Sequence, residues 1–400
     1  MIRNEALINR FLKYVSIDTQ SSEETKTIPS TMKQHDLAAV LYEELKQLGA
    51  PDVVYDREHC VVYAKIPGSE GRPVGFVSHM DTSNACSGAN VKPRFLNGYN
   101  GTDPLNMLVP SEFPELARHI GEDLIATDGT TLLGADDKAG VAEIMNMAEY
   151  FLTHPEIPHR PIAIAFTPDE EIGCGVDHFD TEQFGVHAAY TVDGSAFGEI
   201  EYETFNAAAA YVTVNGRSVH PGSAKDLMKN AGIIAMEFNA MLPETERPEH
   251  TEGREGFYML MSVNANCEKA KLKYIIRDHD RAIFEKRKET VKAIAETLNE
   301  RYGAGTVVCE VTDQYYNMAE ILKDHMELIY DAARAIRECG GTPYSEPVRG
   351  GTDGSRLSFM GVPCPNLGTG GYNYHSRFEF ASVQEMEQCA DTLIRIAKMH

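Results

Sequence analysis

Val74-Gly75-Phe76-Val77-Ser78-His79-Met80-Asp81-Thr82 is an apolar run that ends on an imidazole and a carboxylate. Its length and apolar content are those of a buried β-strand, so His79 and Asp81 stand where such a strand leaves the core. Four further stretches repeat the arrangement: Gly134-Ala135-Asp136-Asp137-Lys138, Thr167-Pro168-Asp169-Glu170-Glu171 after Ile162-Ala163-Ile164-Ala165-Phe166, Asp193-Gly194 after Ala188-Ala189-Tyr190-Thr191-Val192, and Tyr374-His375. In an open α/β sheet, ligand sites form outside the carboxyl ends of the strands. Five separated segments that deliver His, Asp, Glu, Asp and His to one such edge describe a metal site on an α/β fold.

Around these stretches the chain divides into two textures. Residues 1–50 read as two helices, the second over about 35–48 and stopped by Gly49, with a polar loop at 17–31 between them. Strand-like runs at 61–66 and 74–78 follow, then a long Asn-, Gly- and Pro-bearing stretch at 82–131, a helix over 139–152, and the buried strands at 162–166 and 188–192. Near residue 206 the pattern changes. An alternating strand at 211–214, a helix over 226–241, strands at 258–262 and 272–277, a charged helix over 280–301 and a strand at 306–312 make a β-α-β-β-α-β unit of ferredoxin-like type. The chemistry-bearing stretches resume after it. The expected organisation is therefore one larger domain, residues 1–205 and 316–400, with a smaller α+β domain, 206–315, inserted.

Four hundred residues suit about two domains. A chain that is 42% apolar and 24% charged is of ordinary globular composition, and no apolar run reaches the ~20 residues that span a bilayer. The eight cysteines are scattered with no C-x-x-C pair, which points to reduced thiols in the cytoplasm and away from a thiolate zinc site. The first residues lack the pattern of a secretory signal. A net charge of −23 argues against nucleic acid and anionic membranes as partners.

Each stretch alone has a bland reading. His79-x-Asp81 would be a strand-end pair capping a turn, Asp136-Asp137 a helix cap, and Asp169-Glu170-Glu171 a solvated acidic turn. Together they suggest chemistry. A carboxylate has two oxygens and can bridge two cations, and Asp136 in its glycine-flanked turn suits that role, with Asp137 as support. Asp81 suits the carboxylate that orients His79. Hydrolysis needs both a cation to lower the pKa of water and a base to take its proton, which assigns Glu170 as the base and Glu171 as a ligand. Val219-His220-Pro221-Gly222 sits on the inserted domain. Val348-Arg349-Gly350-Gly351-Thr352-Asp353-Gly354 lacks the spacing of a P-loop, but a fixed arginine beside backbone N–H groups suits a carboxylate. Arg277, at the end of a strand of the inserted domain, is a second candidate, and Thr352 a third substrate-binding residue.

Read as a whole, the stretches 78–82, 132–140, 165–171, 190–194, 219–222, 349–354 and 370–375 make the chain resemble the M20 family of dinuclear zinc peptidases and deacylases, in order and over essentially its full length. The resemblance implies a zinc-peptidase-like mixed sheet flanked by helices, with the inserted domain acting as a lid and forming a homodimer. It implies two Zn2+ per subunit, one on His79, Asp136 and Asp193 and one on Asp136, Glu171 and His375; Co2+ or Mn2+ could serve the same ligands. It also implies that His220 helps to stabilise a tetrahedral oxyanion. The stretches at 165–171, 349–354 and 370–375 tilt it towards an aminopeptidase of short peptides, tripeptides above all. The alternative on the same scaffold is an N-acyl amino acid deacylase or dipeptidase. A metal-binding protein without activity would have no need of Glu170.

Overall fold

The computed structural model describes residues 4–69 and 71–399. The chain forms two compact units. The first comprises residues through Tyr202 with Glu320–Glu346 and the chain from Thr352 onward; the second comprises Glu203–Ala319 and Pro347–Gly351.

The first unit is built on a seven-stranded mixed sheet. Its strands run in the order Asp52–Asp56, Val61–Ile66, Ile162–Thr167, Val74–His79, Ala189–Gly194, Asn366–Gly368 and Ile200–Glu201. The four middle strands are parallel to one another, and the outer pairs are antiparallel. Register places the site. His79 lies opposite Thr167, and Val77 lies opposite Thr191, so that His79, the acidic turn after Thr167 and Asp193 come to the same edge. These strands are apolar on both faces, as a covered parallel sheet requires.

Helix Ala135–Thr153 lies on strands Val74–His79 and Ala189–Gly194, and packs with helices Glu5–Val15 and Val383–Ala397. Gly140 permits this close approach, since a Cβ there would lie 1.9 Å from the carbonyl oxygen of Val192. The two flanking helices are amphipathic, with Leu7, Ile8, Phe11 and Tyr14 on one buried face, and Met386, Cys389, Leu393 and Ile396 on the other. Asn4 and Ser382 cap them by accepting the N–H groups of Leu7 and Glu385.

The 82–131 stretch, expected as a long loop with short elements, contributes Arg94–Leu96 and Leu124–Ala126 to a second, antiparallel sheet completed by Phe380–Ser382 and Gly371–Tyr372. Its irregular part is tied by Arg94, which forks onto Asp103 at 2.7 Å through both nitrogens, while Asp103 also accepts the N–H groups of Leu105, Met107 and Leu108.

The second unit is a four-stranded antiparallel sheet in the order Phe257–Ala265, Lys269–Asp278, Asn206–Asn215, Val307–Tyr315, with helices Ala231–Ala240 and Arg281–Tyr302 packed on it. This is the β-α-β-β-α-β order of the ferredoxin-like class. Its first helix begins at Ala231 rather than at 226. Asp226 is left-handed (φ 59°), and Asn230 takes the cap by accepting the N–H groups of Gly232 and Ile233. Pro347–Gly351, placed with the larger domain on sequence, joins this unit because Val348 donates to the Glu203 carbonyl at 2.9 Å and Phe205 to that of Gly350 at 3.2 Å. No helix among the described residues is long and apolar enough to cross a membrane.

Candidate metal centre

At the carboxyl edge of the first unit's sheet, five segments converge. His79 is 2% exposed. Its Nε2 lies 2.9 Å from Asp136 Oδ1 and 3.3 Å from Asp193 Oδ1, and its Nδ1 lies 3.2 Å from Asp81 Oδ1. The second oxygen of Asp136 lies 3.0 Å from His375 Nε2, which is also 2.8 Å from Glu171 Oε2. One carboxylate thus faces both histidines with separate oxygens. Glu170 brings a carboxylate oxygen within 4.8 Å of ligand atoms of both His79 and Asp193.

The supports come from loops. Asp81 accepts the backbone N–H groups of Glu170 at 3.0 Å and Glu171 at 3.3 Å, so the carboxylate that meets the His79 ring also shapes the acidic turn. Asp137 accepts the His79 N–H at 3.2 Å. Asp169 is left-handed (φ 52°) and holds Gln34 Nε2 and the Ser30 N–H, each at 2.6 Å, which straps the N-terminal loop to the turn. Asp193 donates its N–H to Asn366 Oδ1 at 3.1 Å, and Asn366 donates to buried Glu201 at 2.6 Å. Nothing in the sequence marks Ser30, Gln34, Asn366 or Glu201. They stand in helices, loops and short strands with no pattern of their own.

The protein's own charges are poorly balanced here. Burial, reinforced by the charge of Asp136, pushes Glu171 up to about 8. Burial lifts Asp193 to about 6 against the pull of His79. Burial and the charge of Asp193 drive Glu170 well above the usual carboxylate range. Hydrogen bonds to Asp136 and Glu171 carry His375 to about 11. Asp136 alone falls below its ordinary value, because His375 and His79 outweigh its burial. Glu171 Oε1 is buried with no hydrogen-bond partner. Imidazole and carboxylate donors, more buried carboxyl groups than imidazoles and a buried oxygen without a hydrogen-bond partner fit divalent cations of the zinc, cobalt or manganese type. The His119, Glu122 and Glu385 cluster differs, since Ser382, Tyr372 and the Phe197 N–H already occupy its carboxylates.

The remaining candidates stand on other segments of the chain. Thr352 precedes helix Asp353–Phe359 of the first unit and donates its N–H to Ser355 Oγ at 3.3 Å. His220, Arg277 and Arg349 belong to the second unit. His220 is exposed at a turn, its Nδ1 accepting the Gly222 N–H at 3.1 Å. Arg277 donates to the carbonyls of Ala208 and Ile276 and lies over the Tyr315 ring. Arg349 donates to the Gly253 and Glu255 carbonyls at 2.9 Å and to Thr251 Oγ1 at 2.8 Å, with Phe205 and Phe257 beneath it.

Comparison with known proteins adds the context. Residues 202–306 match the model of the M20 peptidase dimerisation domain. The chain is 48% identical to a peptidase T of Alkaliphilus oremlandii, over 98% of this chain and 99% of that one. It is 50% identical to a peptidase T of Clostridium novyi, over 99% of each. Among solved structures, aminopeptidase PepT from Bacillus cereus superposes with a TM-score of 0.78 at 24% identity, over 100% of this chain and 99% of that one. A tripeptidase from Staphylococcus aureus does so with 0.80 at 22%, over the same shares. These two share the fold.

Proposed function

The chain belongs to the peptidase T family of M20 metallopeptidases, and we propose that His79, Asp136 and Asp193 hold one zinc ion and Asp136, Glu171 and His375 a second. The protein is a metallo-aminopeptidase that removes the N-terminal residue from short peptides, tripeptides above all. The observation that carries the two-ion reading is the Asp136 carboxylate, with one oxygen 2.9 Å from His79 and the other 3.0 Å from His375. When bound, the ions supply Lewis acidity, which lowers the pKa of water and polarises a peptide carbonyl.

The chain's residues do the rest. Asp81 and Asp137 fix His79 in place, so its Nε2 points at the shared carboxylate. Glu170 takes the proton of the attacking water and returns it to the leaving amine. His220 is proposed to hydrogen-bond the tetrahedral oxyanion, in its own or a partner's subunit. Arg349 or Arg277 is proposed to hold the peptide's terminal carboxylate, and Thr352 to bind substrate. Arg349 would give up its bonds to the 251–255 turn to serve there. A clamp at one end and the metal centre at the other would measure peptide length.

The second unit is proposed as the dimer contact. Its terminal strand, Phe257–Ala265, exposes Met259, Leu260, Met261 and Val263, an apolar edge that invites a second copy. Eight cysteines without a disulfide support a reducing, cytoplasmic setting.

The test is metal content together with release of the N-terminal residue from di-, tri- and tetrapeptides. Two zinc ions per chain and fastest release from tripeptides are expected. A chain that binds no zinc would overturn the centre. Equal rates on all lengths would overturn the ruler, and ready cleavage of N-acylated substrates would move the chain to the deacylases.

A further inference from the structure

Asp136 is not held by its own helix. Gly134 is left-handed (φ 82°), and Asp136 (φ −82°, ψ 104°) and Asp137 (φ −119°, ψ 34°) depart from helical values. At such a helix start the N–H groups have no carbonyl one turn earlier to pair with. Here three N–H groups of the turn, two of them just before the helix, converge on one side chain. Glu379 Oε2 accepts from Leu133 at 2.7 Å and from Gly134 at 2.8 Å, and Oε1 accepts from Asp136 at 3.0 Å. Successive N–H groups turned to one side make a nest for an anion. Here the anion is part of the chain and 1% exposed.

We propose that Glu379 is a positioning residue for the shared carboxylate: it holds the 133–136 turn in the shape that lets Asp136 face both histidines, so that the two cation sites fill together. The proposal rests on the dinuclear reading above. Two features set Glu379 apart from a plain anchor. A further buried carboxylate beside a crowded acidic cluster is electrostatically adverse. Its placement makes sense for acceptor geometry, since the two oxygens of one carboxyl group reach three N–H donors. Glu379 also stands four residues after His375, and Phe380, which follows it, pairs with Ala126 in the small antiparallel sheet. One short segment therefore carries a ligand and also the group that shapes the turn bearing the bridge.

The test reads cation binding as well as turnover. Glu379→Gln puts an amide NH2 against backbone donors. The variant is expected to fold, with a metal-free melting temperature close to wild type. Its zinc affinity, measured by chelator competition, should fall by about 10–100-fold at both sites. The rise in melting temperature on adding zinc should shrink accordingly, and amides 133–136 should exchange faster in the metal-free variant. If Glu379→Gln does not fold, Glu379→Asp replaces it: the carboxyl group is kept, but the shorter side chain cannot reach all three N–H groups. Wild-type zinc affinity, a loss confined to one ion, equal destabilisation with and without zinc, or failure of both variants to fold would each overturn the proposal. Wild-type metal content separates the two readings. No zinc on the wild type sinks the dinuclear centre, whereas two ions retained undisturbed by the variant sink only Glu379's role.

Discussion

Glu170 and Glu171 are neighbours in one short turn, yet they meet different partners. Asp81 accepts both of their backbone N–H groups. That bond pattern fixes the turn and sends the two side chains apart: Glu171 reaches His375 at 2.8 Å, and Glu170 joins His79 and Asp193. The proposed roles, Glu171 on a cation and Glu170 as base, need this separation, because a base committed to a cation loses the lone pair it needs for the proton. Burial and the charge of Asp193 drive Glu170 well above the usual carboxylate range, and bound cations would pull it back towards neutrality, where a general base works best. Glu170→Gln is therefore expected to keep its zinc and to lose about 10²–10⁴-fold in kcat, whereas Glu171→Gln should lose zinc first. Metal analysis alongside kcat decides it. A Glu170→Gln enzyme with full turnover would remove Glu170 from the role of base.

Among the elements, helix Ala135–Thr153 departs furthest from what a sequence announces. It has no polar face to speak of, and Glu143 in its middle is fully buried with neither oxygen hydrogen-bonded. Burial alone holds its carboxyl well above the ordinary value, so the folded chain keeps it neutral. A folded pKa above the unfolded one adds stability that is complete below the unfolded value, about 4.3, and drains away as pH rises towards the folded value. Glu143→Gln cannot ionise. Its stability relative to wild type should climb by about 1.4 kcal/mol per pH unit from roughly pH 5 upward, as read by urea unfolding at several pH values. A difference that stays flat with pH would mean that Glu143 is charged in the fold. The same helix shows why legibility was uneven. The strands at 61–66, 74–79, 162–167 and 189–194 could be read because continuous apolar runs mark a covered sheet; His79, Glu171 and Asp193 stood out because they sit at or just past the ends of those runs, and Asp136 because it lies in a glycine-flanked turn that opens a helix. The small sheet could not, since Gly371–Tyr372, Arg94–Leu96, Leu124–Ala126 and Phe380–Ser382 are too short to show a period. Glu379, Asn366 and Gln34 escaped for a related reason: each acts through partners far away in sequence, and no local pattern records that. A buried Glu143 within a run of good helix formers looks the same on paper as a solvated one.

For the whole molecule the governing quantity is negative charge, −23 over four hundred residues, and several of its carboxyl groups meet in the cluster at the sheet edge. His79, Glu171 and Asp193 arrive from three strand ends and Asp136 from a helix start, so cations bound among them would cross-link Val74–His79, Ile162–Thr167, Ala189–Gly194 and the start of helix Ala135–Thr153. Without cations the carboxylates repel or take up protons. A ligand that binds only the folded state stabilises it by about 4 kcal/mol at a thousand times its Kd. All of that stabilisation should fall on the first unit. Among the described residues, every group of side chains that could hold a cation lies there, and the second unit has its own core around Phe238, Tyr274, Phe284 and Leu298. Chelation is therefore expected to lower the melting temperature unevenly. Amide exchange should quicken at residues 76–79, 135–140, 167–171 and 191–194 once zinc is stripped, while strands Lys269–Asp278 and Asn206–Asn215 keep their protection. Exchange measured by mass spectrometry with and without chelator, at verified metal loss, reads both units in one experiment. Unchanged exchange at the sheet edge would show that the carboxylates are balanced by the protein alone. An equal gain in both units would show that the cations stabilise the molecule by some route other than those four strand and helix ends.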